Sequence, residues 1–86
     1  MAELLQTYEE VVRDARGEEF VAEAHGAERD DGTWEGWLVF RSAAGEVRRT
    51  GRETTQPGRD ALRYWASGLE PVYLDGAFAR AGGSKR

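Results

Sequence analysis

The chain has 86 residues, no cysteine and a formal net charge of −4, which is enough for one small domain. The missing cysteines exclude disulfides, a thiol nucleophile, thiolate zinc sites and iron–sulfur ligation. No run approaches the roughly 20 apolar residues of a membrane span. The acidic opening Met1–Gln6 lacks a basic n-region, so no signal peptide and a cytoplasmic setting are expected.

Of 34 apolar residues 12 are alanine and none is isoleucine, so the Trp, Tyr and Phe side chains must carry much of the core. The charge is unevenly spread. Residues 1–40 hold 3 basic and 11 acidic side chains, residues 41–86 hold 9 and 5. The two halves are expected either to pair within the chain or to present a basic face to a partner.

Leu4, Leu5, Tyr8, Val11, Val12 and Ala15 fall on one stripe of a 3.6-residue period, predicting an amphipathic helix over about 3–16 with Gly17 as its C′ residue. The period changes after Gly17. Phe20, Ala22, Ala24 and Gly26 alternate with Val21, Glu23, His25 and Ala27, which favours a strand, although a helix through residue 24 competes because Ala and Glu are poor strand formers. Asp31-Gly32 predicts a hairpin turn. A strong strand follows over 34–41, with Trp34, Gly36, Leu38 and Phe40 on one face and Glu35, Trp37, Val39 and Arg41 on the other. Gly36 leaves room for a large neighbour.

Residues 42–45 read as a second turn and 46–55 as a third, arginine-rich strand. Thr54, Thr55 and Pro57 introduce a helix over about 58–67 closed by Gly68, with threonine as its expected cap. Pro71 opens a further helix with Val72, Leu74, Ala77, Phe78 and Ala81 as its stripe, and 82–86 read as a flexible tail. The expected fold is a single α+β domain over 1–81: an N-terminal helix, a three-stranded antiparallel meander and two C-terminal helices. Helices on one sheet face would leave Trp37 and Val39 on the other, to be covered by the last helix or by a second subunit.

Little points to catalysis. His25 is the single histidine, and a general base needs a positioned partner. Ser42, Ser67 and Ser84 lack a nucleophile-elbow context, and no glycine loop precedes a helix in the phosphate-cradling manner. Asp30 and Asp31 lack the spaced oxygens of a calcium loop. No metal and no cofactor is expected.

Two binding readings follow. Arg41, Arg48, Arg49 and Arg52, extended by Arg59 and Arg63 one helical turn apart, form a candidate anionic-partner patch, with Trp37 as a stacking platform. The α-β-β-β-α order is similar to that of double-stranded-RNA-binding domains, but the first helix is acidic and the second lacks a lysine cluster at its start. A protein-interaction module, homodimeric through its sheet, fits better, with Trp37, Val39 and the same arginines as candidate contacts and the third strand as a free edge. Glu53, Thr54 and Thr55 form a dense polar run that suggests a ligand loop. No membrane partner is expected.

The stretches Asp31-Gly32-Thr33-Trp34-Glu35-Gly36-Trp37, Arg52-Glu53-Thr54-Thr55-Gln56-Pro57, Tyr64-Trp65-Ala66 and Gly68-Leu69-Glu70-Pro71-Val72-Tyr73-Leu74 resemble a family of small bacterial proteins. The resemblance spans residues 31–74 and implies a bacterial single-domain protein. It implies no activity.

Overall fold

The computed structural model describes residues 1–83. In chain order the elements are β1 (Glu3–Arg13), β2 (Glu19–Glu28), β3 (Trp34–Ser42), β4 (Val47–Arg49), β5 (Thr54–Gln56), α1 (Arg59–Ser67), α2 (Pro71–Arg80) and β6 (Gly82–Gly83). The α+β class holds, but the expected architecture does not: there is no N-terminal helix, and strands begin at residue 3.

The reason lies in β1. Its antiparallel register with β2 slips twice, because Leu4–Gln6 stands against His25–Ala24 and Thr7–Val11 against Glu23–Val21. Each slip inserts extra residues on β1 and restarts its inward alternation. Tyr8 and Val12 are buried and Leu5 packs against the core, a spacing of three and then four that imitates one face of a helix. Gly17, with φ of 86°, closes the β1–β2 turn rather than capping a helix; Asp14 Oδ1 accepts the N–H of Arg16 at 2.9 Å and of Glu18 at 3.0 Å there.

The segment left open between strand and helix is strand β2. It pairs with β3 in unbroken register from Phe20↔Ser42 to Glu28↔Trp34. The expected third strand is a fourth, interrupted one: β4 pairs with Val39–Arg41 and β5 with Trp34–Gly36 of β3. Across the interruption, Leu38 N–H donates to Thr50 Oγ1 and Thr50 N–H to the Leu38 carbonyl, both at 3.0 Å, and Glu53 N–H donates to the Gly36 carbonyl at 2.8 Å. The buried Thr50 hydroxyl thus stands in for a ladder carbonyl. β6 pairs with β4 in residues expected to be tail; 84–86 lie outside the described residues.

Both C-terminal helices form close to where the sequence placed them. Gly58 is the N-cap of α1, with no side-chain cap, because Thr54 and Thr55 are held in β5; Pro71 opens α2 as expected. The helices cover the sheet face that carries Phe20, Ala22, Ala24, Leu38 and Phe40. The paired Gly26 and Gly36 form a seat for Leu62: a Cβ on Gly36 would lie 2.8 Å from Leu62 Cδ1 and 2.9 Å from Trp65 Cζ3, and one on Gly26 would overlap Leu62 Cδ2. Phe78 of α2 meets Phe20 and Phe40 at 5.0 and 5.1 Å, and Tyr8 Oη donates to the Ala66 carbonyl at 2.6 Å. Among the described residues no helix is long and apolar enough to cross a membrane.

Candidate interaction face

The other sheet face carries no helix. Its rows, read from β1 to β4, are Val11–Val21–Arg41–Val47, Thr7–Glu23–Val39–Arg49 and Leu4–His25–Trp37. Trp37 and Val39 lie there, as the alternation required, but both are buried, at 6% exposure each. Side chains from the same face close over Trp37. The Arg49 guanidinium lies 4.4 Å from its ring centroid, and the His25 ring stacks beside it at 6.3 Å. Trp37 therefore offers no open ring for a base to stack on.

The polar groups of this face form a chain. His25 Nε2 lies 2.8 Å from Glu23 Oε1, and Arg41 Nε donates to the same oxygen at 3.1 Å. Burial works to raise the Glu23 pKa, but the His25 and Arg41 hydrogen bonds outweigh it, and the carboxyl stays below its ordinary value. The exposed apolar side chains are Leu4 (53%), Val11 (36%) and Val21 (39%). Leu4 and Val11 fall on the predicted helix stripe, and Val21 alone is signalled in the sequence, by its alternation with Phe20 and Ala22.

The predicted arginine patch is divided between two sides of the sheet. Arg41 and Arg49 lie on the open face. Arg48 lies on the helix side, its guanidinium 4.8 Å from the Phe20 and 4.9 Å from the Phe78 ring centroid and paired with Glu46 at 2.8 Å and Asp14 at 3.5 Å. Arg59 of α1 holds Glu3 at 2.8 Å, which lowers the Glu3 pKa, with Arg63 adding to the same field. Arg52 is exposed after β4. Pairs such as Arg41–Glu23, Arg48–Asp14 and Arg59–Glu3 join the acidic and basic halves of the chain.

The suggested ligand loop is a tether instead. The Glu53 carboxylate, 9% exposed, accepts from Tyr73 Oη and from Arg80, both at 2.5 Å, and so fixes α2 to the β4–β5 junction. Burial and the hydrogen bond to Glu53 push the Tyr73 pKa up to about 12. Thr54 and Thr55 pair with Gly36 and Glu35. Glu53 thus lies on the helix side and His25 on the open face, with the sheet between them.

Two hollows lie elsewhere on the surface. A shallow groove of about 710 Å³ lies beside Val11–Ala15, Arg48 and Phe78, but its Asp14 and Arg48 are paired with each other. In the β2–β3 hairpin, Asp31 Oδ1 accepts from Thr33 N–H at 2.9 Å and Thr33 Oγ1 at 2.6 Å, making the turn. Among the described residues no three His, Cys, Asp or Glu side chains are grouped to hold a metal.

β1 is an outer strand of the sheet, and its two register slips and exposed Glu9 and Glu10 blunt it against edge pairing. The edge expected on the Arg-rich strand is occupied by β6 along β4. The helix-free face is therefore a broader surface than either of these edges. No family model, curated protein or solved structure matches the chain.

Proposed function

We propose that this protein is a non-enzymatic protein-interaction module that binds its partner through the helix-free sheet face. The observation that carries this reading is the exposure of Leu4, Val11 and Val21 on a face that no other layer covers. A sheet face that exposes Leu4, Val11 and Val21 gains by losing water. The neighbouring Arg41, Arg49, Glu23 and His25 supply polar groups of the kind that gives specificity to interfaces. The arrangement lacks what an enzyme needs: His25 has an orienting carboxylate, but no nucleophile or enclosed cleft adjoins it among the described residues.

The test is capture of partners from an extract of the source cells by the tagged protein and by two variants. Val21→Glu is expected to lose the partner, and Tyr64→Glu, on the exposed side of α1, to keep it. Capture that survives Val21→Glu and fails in Tyr64→Glu would move the site to the helices. Salt-sensitive retention of the wild-type chain on nucleic acid, lost in Arg49→Glu, would favour a nucleic-acid-binding accessory role instead.

A further inference from the structure

We propose that the occupant of the open face is a second copy of this chain, stacked face to face about a two-fold axis that runs along the strands. This rests on the interaction reading above and names its partner and geometry.

The charge distribution selects the arrangement. Among the described residues, Glu9 and Glu10 on β1 and Arg49 and Arg52 on the β4 side form no ion pair, and all four are exposed. The face therefore has an acidic border at β1, exposed aliphatic side chains on β1 and β2, and a basic border at β4. Two sheets packed about 10 Å apart can be related by an in-plane two-fold axis along the strands or across them. An axis across the strands lays β1 over β1 and β4 over β4, like charge on like. An axis along the strands exchanges the borders and sets acidic β1 over basic β4 at both ends of the interface.

The same axis keeps each row level. Glu9 and Glu10 fall between the Thr7 and Val11 rows, and Arg49 ends the Thr7–Glu23–Val39 row. The two carboxylates therefore come beside the partner's Arg49, between its row and that of the partner's Val47. Val11 falls over the partner's Val47, because they end one row. β1, β2 and β3, nine to eleven residues long, and the three-residue β4, all about 4.8 Å apart, give a footprint of about 500 Å² per copy, at the small end for a specific interface. The dimer is expected to be weak, with a dissociation constant of about 10–100 µM.

Sedimentation equilibrium from about 10 µM to about 1 mM tests this with two charge-reversed chains, Glu9→Arg/Glu10→Arg and Arg49→Glu/Arg52→Glu. The wild type is expected to dimerise, and each variant alone to associate at least about tenfold more weakly. An equimolar mixture of the two is expected to recover association, because both borders of that pair are again opposite in sign. Circular dichroism checks that each variant is folded. If reversing Arg49 unfolds the chain by uncovering Trp37, Arg52→Glu alone carries that arm. A wild type that stays monomeric at about 1 mM overturns the proposal. So do variants that dimerise like the wild type, or a mixture that recovers nothing. A monomeric wild type whose captured partner is still lost in Val21→Glu would leave the interaction face standing and remove only the self-association.

Discussion

Arg49 and Trp37 show how a side chain changes meaning when its neighbours are known. A tryptophan on an uncovered sheet face is a natural hot spot, yet here the Arg49 guanidinium 4.4 Å above its ring and the adjacent His25 leave it 6% exposed. Arg49→Ala is expected to cost about 0.5–1 kcal/mol and to shift tryptophan emission to the red as water reaches the ring. Trp37→Ala is expected to cost about 2–4 kcal/mol, read from urea midpoints, which makes it a poor probe of association. Val21 serves that purpose better, because its side chain is exposed and supports no core contact. Arg48 is a related case. Held between Phe20 and Phe78, it is part of the fold, and a partner would have to unpack it.

At the scale of elements, the strands owe their closeness to the helices to small residues. Gly26 and Gly36 face each other across β2 and β3 beneath Leu62, with Ala22 and Ala24 continuing the same face. Gly26→Ala is expected to destabilise the protein by about 1–3 kcal/mol, since Leu62, the Glu35 carbonyl and Leu5 all crowd the added methyl. Gly45→Ala, at φ of 95° with open space around it, tests backbone strain alone and is expected to cost about 1 kcal/mol. Equal losses at the two positions in thermal melts would count against the packing explanation for Gly26. The two C-terminal helices were legible in the sequence because Pro57, Gly58, Gly68 and Pro71 punctuate them locally. The first strand was not, because its register slips occur against β2 and restore an inward residue at Leu5, Tyr8 and Val12, the spacing of a helix. Glycine at Gly17 ends a helix or turns a hairpin with the same positive φ, so it could not separate the two.

For the whole molecule, the uneven charge becomes a set of ion pairs, several of them between the two halves, and these and two tyrosines set the response to pH. Glu3 beside Arg59, Asp14 beside Arg16, and Glu23 beside His25 and Arg41 all have folded pKa values below their ordinary ones. Each is a carboxyl that binds a proton more readily when unfolded, so its contribution is present above the unfolded pKa near 4 and is lost as pH falls through the lower folded value. Tyr8, raised to about 12 by burial, and Tyr73, raised to about 12 by burial and Glu53, act in the opposite direction. Their contribution is intact below the unfolded pKa of 10 and is lost as pH rises from 10 towards 12. Urea midpoints are therefore expected to be flat from about pH 5 to 9 and to fall on both sides, the alkaline fall accompanied by tyrosinate absorbance. Tyr8→Phe should weaken the alkaline fall; an unchanged alkaline limb would count against the role given to Tyr8.

The sequence by itself determined the α+β class, the alternation of β3, the hairpin turn at Asp31-Gly32 and the two helices, because turn residues, prolines and period-2 patterns act over a few neighbouring positions. Only the tertiary structure decided that residues 3–13 are a strand, that Glu53 is a tether to α2, that the arginines fall on opposite sides of the sheet, and that Trp37 is closed while Leu4, Val11 and Val21 are open. Those outcomes depend on register between strands and on which side chains meet across the fold, and neither is written in the spacing of one segment.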